Sequence, residues 1–204
     1  MVREPGTTPL GQHLRDYLKS SQPLSSKAEL LLFAAARAEL VGTTIKPNLD
    51  AGISIIADRF EASSMAYQGF GRKLSKKMIT ALNNYVTNEI HPDLTILLDL
   101  QTDEEMKRIG LQLPLSMALG GEQTVGRIDR ENQRRFEDLP TNFHKRVRSG
   151  FLDLAEKSQD SWVVLDARLT IDELAEQVWN LSLIHISEPT RRTPISYAVF
   201  FLKK

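Results

Sequence analysis

Short apolar runs alternate with amphipathic stretches along this chain. The runs at 52–58, 94–99 and 162–166 are nearly continuous in Ile, Val and Leu, and each closes on an aspartate: Asp58, Asp99 and Asp166. Runs of that length and composition read as buried parallel strands rather than as strands with one wet face. Between and around them the apolar positions take a helical period, over 10–19, 26–50, 75–89 and 143–157. Thr170-Ile171-Asp172-Glu173 is a capping box, opening a last helix with Leu174, Ala175 and Val178 on its inner face. Strands alternating with helices predict an α/β fold, a doubly wound parallel sheet flanked by helices.

Two stretches leave that rhythm. From Arg108 to Asn142 an apolar piece interrupted by Pro114 gives way to Gly120-Gly121, then to Arg127, Arg130, Arg134 and Arg135 among Asp129, Glu131, Glu137 and Asp138. A mixed-sign run of this kind is most often a solvated helix face. From about Ser182 the helical period stops, and 183–194 carries no pattern that continues the fold. Its words resemble translated sequencing-adapter read-through, and the apolar run 195–204 has no obvious place. We therefore expect 182–204 to be a tail that is not native to the domain, so that His185 carries no catalytic weight.

Composition narrows the function classes. The chain has 204 residues with a formal net charge of zero, which gives no support to a general nucleic-acid binder or a membrane-surface protein. There is no cysteine, so disulfides, thiolate metal sites and cysteine nucleophiles are excluded. No run of about 18 apolar residues is present to span a membrane, and the first residues do not resemble a signal peptide. A cytoplasmic location is the expectation, and no residue is singled out as a metal ligand.

The chemistry gathers at the end of the first apolar run. Asp58-Arg59 arrives at the carboxyl end of the predicted strand, where open α/β sheets bind ligands. Ser64, Tyr67 and Gln68 follow at i, i+3 and i+4, on one face of a helix beginning there. A cation for a phosphate thus stands beside groups able to hydrogen-bond a base. Upstream, Phe33 and Arg37 lie four residues apart on a strongly helical stretch. An aromatic ring stacks on a base and a guanidinium grips oxygen-rich groups with two parallel bonds. Taken singly, such a Phe is core in most proteins and such an Arg a solvated flank.

Taken together, these words resemble the thymidylate kinase family. Arg3-Glu4-Pro5-Gly6, Phe33-Ala34-Ala35-Ala36-Arg37, Asp58-Arg59-Phe60, Ser64 with Tyr67-Gln68-Gly69, Pro92-Asp93-Leu94-Thr95 and Phe143-His144-Lys145-Arg146-Val147-Arg148 occur in the family's order and spacing, over roughly residues 2–181. The resemblance implies a P-loop-kinase-like sheet over 1–181 and transfer of the terminal phosphoryl of ATP to dTMP, giving dTDP and ADP for dTTP biosynthesis. Mg²⁺ accompanies ATP as cofactor, and a homodimer is expected. It further implies that Phe33 stacks on thymine while Arg37, Ser64 and Gln68 read its edge. Tyr67 packs by the sugar against a ribose 2′-hydroxyl, Arg59 grips the acceptor phosphate, and Arg3 and Glu4 flank its approach. Asp58 either orients Arg59 or supports Mg²⁺ through water. Residues 108–142 become the lid, with Arg130, Arg134 and Arg135 as candidates for stabilising the transferred group; which of them reaches the phosphates stays open, because Arg134 stands where the family commonly has aspartate.

One signature of the family is missing. Its phosphate-binding loop, Gly-x-x-x-x-Gly-Lys-Ser/Thr, has no counterpart, since Gly-Lys occurs nowhere in the sequence. The opening residues match the end of the family's second strand, so the expectation is an amino-terminal truncation that removes the central first strand and its loop and leaves this chain inactive. Two rivals remain: a deoxynucleoside kinase of the same superfamily, and a catalytically inactive nucleotide-binding or interaction protein.

Overall fold

The computed structural model describes residues 1–20, 22–100, 139–187 and 196–201. In chain order these are β1 (Val2–Arg3), α1 (Pro9–Lys19), α2 (Ser26–Leu40), α3 (Lys46–Asp50), β2 (Ile55–Asp58), α4 (Glu61–Ser64), α5 (Lys76–Thr87), β3 (Leu94–Asp99), α6 (Thr141–Lys157), β4 (Trp162–Asp166), α7 (Ile171–Ser187) and β5 (Ser196–Phe201). Two π-helical segments, Val41–Ile45 and Met65–Gly71, continue α2 and α4. The sheet runs β1-β2-β5-β3-β4 with parallel pairing throughout. The α/β class with a parallel sheet flanked by helices is therefore as expected from the alternation.

Local chemistry sets the helix starts. Thr8 and Ser25 occupy N-caps and accept from the backbone N–H of Gly11 and Ala28, while Ser75 does the same for Met78. Thr170 and Glu173 close the predicted capping box, with the Thr170 N–H donating to Glu173 Oε2 at 2.8 Å and the Glu173 N–H to Thr170 Oγ1 at 3.3 Å. The Thr170 N–H, and the Thr170 hydroxyl that donates to the same Glu173 Oε2 at 2.7 Å, hold the exposed Glu173 carboxyl below its ordinary pKa. The predicted helix over 26–50 is one continuous rod that widens to a π turn ahead of Pro47, which has no N–H to donate.

Two cores hold the helices on the sheet. Val2, Ile55, Ala57, Leu97, Phe143 and Phe151 meet on one face, and Leu94, Ile96, Leu98 and Leu165 on the other, covered by Leu174, Val178 and Leu181 of α7. The tightest contact joins α6 to the segment Met65–Gly71. A Cβ on Gly71 would come within 2.6 Å of the Phe143 ring, and one on Gly150 within 2.6 Å of the Phe70 ring. The two glycines let each partner's aromatic ring lie directly on the opposite backbone.

The structure corrects the reading in three places. The strand predicted at 52–58, β2, begins at Ile55 rather than Gly52, because Gly52 (φ +77°) turns the chain out of α3. That strand is not buried on both faces: Ile56 is 46% exposed while Ile55 and Ala57 are buried. The last helix continues to Ser187, and 196–201 forms β5 in the middle of the sheet, although neither was expected of 182–204. Flanked by β2 and β3, a central slot presents two rows of unpaired backbone donors and acceptors. The β-prone Ser-Tyr-Ala-Val-Phe-Phe sequence of β5 satisfies both.

Candidate functional site

The face of α2 that carries Phe33 and Arg37 also carries Glu29, at spacings of four. This face lies against α4 and the π-helical segment after it, where Ser64 and Gln68 are likewise four apart. The pairing is one to one: Gln68 Nε2 donates to Glu29 Oε1 at 3.0 Å, and Arg37 Nη2 donates to Ser64 Oγ at 2.9 Å. Phe33, half-buried, stands between these two rungs on α2. Two helices cross-linked at both ends with an aromatic ring between the links form a slot suited to a flat ring.

Arg37 is the densest node. Its Nε donates to Glu4 Oε2 at 2.9 Å, Nη2 donates to Glu4 Oε1, and Nη1 donates to Asn83 Oδ1 at 2.7 Å. With the bond to Ser64, four of the five guanidinium N–H groups have acceptors inside the protein. Its guanidinium also lies over the Phe60 ring at 5.8 Å from the centroid. Burial pushes the Glu4 carboxyl above its ordinary pKa, and the charge and hydrogen bonds of Arg37 pull it back. Asn83 completes the tie, donating from Nδ2 to the Glu61 carbonyl at 3.2 Å.

At the other end of the slot, cations gather around the strand ends. Arg3 and Asp58 are register partners across β1 and β2, and Arg3 Nε donates to Asp58 Oδ2 at 2.9 Å. Arg59, the next residue, has φ +68°, a left-handed conformation that costs an ordinary side chain about 1–2 kcal/mol. Strain held at a ligand-facing turn is a hallmark of functional sites. Its guanidinium lies 5.5 Å from the centroid of the Tyr67 ring, which packs edge-on against Phe151 and tilted against Phe143. Arg15 reaches in from α1, donating Nη1 to the Pro5 carbonyl at 3.0 Å. Burial first, then the charges of Arg3 and Arg59, push the Arg15 pKa down, while Asp58 pulls it up. Arg3, Arg15 and Arg59 thus gather near Asp58, with Asp16 also acting on Arg15, and such a cluster of guanidinium groups suits an anion.

The predicted residues thus fall into two groups. Phe33, Asp58, Arg59 and Tyr67 are half-buried and Arg3 is exposed, as a binding surface requires. Glu4, Arg37, Ser64 and Gln68 are at most 4% exposed and hydrogen-bonded to neighbours, so they form the slot's wall rather than its rim. Arg130, Arg134 and Arg135, with nearly all of the predicted lid, lie outside the described residues. Sequence reasoning missed Arg15, Glu29 and Asn83. Glu29 carried a usable signal, since it is the residue four before Phe33 on the same face; Arg15 and Asn83 came from separate helices with none.

Among the described residues no cluster of three or more His, Cys, Asp or Glu could hold a metal ion. Asp58 and Asp99 are each engaged by an arginine, Asp99 by Arg148 through two bonds of 2.7 Å. The described residues therefore offer no site that fits a resident metal, and magnesium commonly arrives on phosphate groups.

Comparison with known proteins converges on one family. The family model described as thymidylate kinase matches residues 1–178. A thymidylate kinase from Thermomicrobium roseum is 34% identical over 194 residues, covering 95% of this chain and 84% of its own. One from Chlamydia caviae is 38% identical over 181 residues, covering 87% and 79%. Among solved structures, thymidylate kinase from Ehrlichia chaffeensis superposes with a TM-score of 0.61 at 29% identity, over 92% of this chain and 78% of that one.

Proposed function

The chain belongs to the thymidylate kinase family, and from that premise we propose how its residues divide the work of phosphoryl transfer to dTMP. Phe33 carries the thymine ring in the slot between α2 and the segment Met65–Gly71. Gln68 and Ser64 meet the base edge, with Arg37 locking Ser64 and Glu4 in place. Arg59, Arg15 and Arg3 receive the 5′-phosphate around Asp58, and Tyr67 supports Arg59 beside the sugar. The observation that carries this reading is Phe33 standing between two hydrogen-bonded rungs of facing helices, with arginines at the strand ends, the two joined by the stretch from Asp58 to Ser64. No general base is needed, since this chemistry rests on positioning and charge stabilisation.

The family uses ATP with a divalent metal, and we assign that metal as Mg²⁺ bound to the ATP phosphates. The described residues build the acceptor side of the site, and we propose that they bind dTMP and hold its phosphate for transfer. The lid arginines Arg130, Arg134 and Arg135 serve the donor side. Their alanine variants should lower turnover and leave dTMP affinity unchanged. No helix among the described residues is long and apolar enough to cross a membrane. A cytoplasmic homodimer is the state we propose, testable by sedimentation.

Calorimetry with dTMP and with thymidine tests the acceptor site directly. The expected result is tighter binding of dTMP, with Phe33→Ala weakening both ligands by about 1–3 kcal/mol, the worth of one base–aromatic stack. Equal affinities for dTMP and thymidine, or a Phe33→Ala variant that binds like the parent, would overturn the assignment.

A further inference from the structure

Glu29 does more than staple two helices. It is wholly buried on α2 and accepts three hydrogen bonds: from Gln68 Nε2 at 3.0 Å, and from Arg72 Nε and Nη2 at 3.2 and 3.0 Å. A carboxylate facing an arginine fork is ionised and can only accept. The side of the Gln68 amide that faces it must therefore be the NH₂ group. A flipped amide would set its carbonyl oxygen against the carboxylate, and at 1% exposure Gln68 is shielded from the bulk solvent that would relieve that contact. The Gln68 backbone is also tied, its carbonyl accepting from the Leu74 N–H at 3.0 Å. Gln68 accordingly presents its carbonyl oxygen, an acceptor, away from Glu29.

We propose that Glu29 is a specificity-determining positioning residue: by fixing the polarity of the Gln68 amide it selects pyrimidines that carry a proton on N3. This rests on Gln68 meeting the base edge, as proposed above. Thymine and uracil present N3–H, a donor that matches the fixed acceptor. Cytosine presents a bare N3, and two lone pairs would then face each other inside a dry slot. An unmatched buried polar pair is what lets a site reject an analogue strongly. The fork from Arg72 holds Glu29 in place, and its guanidinium lies 5.2 Å from the centroid of the Phe143 ring at the start of α6.

The test is equilibrium binding of dTMP, dUMP and dCMP to the 204-residue protein, with no ATP. The parent should hold dTMP and dUMP more tightly than dCMP by about tenfold or more, the equivalent of one lost buried hydrogen bond. Glu29→Gln leaves the volume unchanged but lets both amides turn together. The preference for dTMP over dCMP should fall to about threefold or less, while the advantage of dTMP over thymidine persists. In the double variant Glu29→Gln/Gln68→Glu the acceptor-only group stands at 68, and discrimination against dCMP should return. A Glu29→Gln protein that keeps the full preference overturns the proposal, as does a folded double variant without it; the double variant decides the matter even where Glu29→Gln fails to fold. Gln68→Leu separates the premise: unchanged affinity for all three nucleotides would remove Gln68 from the base edge, whereas a loss there with no effect of Glu29→Gln faults Glu29 alone.

Discussion

Arg37→Met is the sharpest probe of the buried network, because it removes a charge and a fork while keeping much of the side-chain volume. Arg37 has no exposed surface and Glu4 is 4% exposed, so water cannot replace the lost partner. Orphaning one member of a buried ion pair costs about 3–5 kcal/mol. The orphaned oxygens of Ser64 and Asn83 keep the loss toward the upper end of that range. The pH dependence carries a second signature. Glu4 titrates above its ordinary value of 4.5 in the fold, through burial first and the nearby Glu61 charge last, against the opposing pull of Arg37. A carboxyl whose pKa is raised by folding favours the fold at low pH, and that contribution is lost as pH rises through the folded-state pKa. Removing Arg37 removes both influences that lower it, so the variant's Glu4 takes up its proton at still higher pH. The deficit relative to the parent should therefore be largest near neutral pH and smaller at mildly acidic pH, as Glu4 takes up its proton. Urea unfolding followed by tryptophan fluorescence at both pH values measures it. A deficit under about 1 kcal/mol at neutral pH, or one that does not change on acidification, would refute the account of Glu4 and Arg37 as a buried, mutually dependent pair.

Arg59→Ala should weaken dTMP binding by about 1.5–3 kcal/mol, the worth of hydrogen bonds to a charged group. Arg59→Lys should recover little of it, since the planar fork is lost, and calorimetry showing full recovery would deny a bidentate phosphate grip. Gly150→Ala places a methyl within 2.6 Å of the Phe70 ring and should cost about 1–3 kcal/mol of stability in denaturant unfolding. Val199 is the register partner of Asp58 on one side and Ile96 on the other, so Val199→Pro should destabilise the central sheet by about 3 kcal/mol. An unchanged melting temperature would show that 196–201 contributes nothing to the fold in solution.

Much of the fold was legible because its signals are local. The strands 94–99 and 162–166 were bounded by their aspartates, and the N-cap Thr170 marked a helix start that the structure reproduces. The strand at 52–58 was read three residues too long, because hydropathy alone does not report the turn at Gly52. The place of β5 was illegible for a different reason. A parallel central strand is recruited by the edges of β2 and β3, distant in sequence, and nothing inside Ser196–Phe201 names those partners.

The site divides along the same line. Spacing put Phe33 with Arg37, and Ser64 with Gln68, on common faces, and the structure sets those faces opposite each other. Spacing does not say whether a polar side chain on such a face points to a ligand or to a partner within the protein. Arg37 shows why the distinction matters: an arginine with four internal acceptors acts through the groups it holds, Glu4, Ser64 and Asn83. The same holds for Glu29, whose effect reaches a base only through the orientation of Gln68. Arg15 is the converse case. Its helix α1 follows β1 directly, so the turn at Pro5 folds it back over the strand ends, where its carbonyl contact fixes it beside Arg3 and Asp58. Burial separates the arginines: Arg37 has no exposed surface and faces the buried carboxylate of Glu4, whereas Arg3 is exposed and pairs with the half-buried Asp58, the setting our proposal needs for an incoming phosphate.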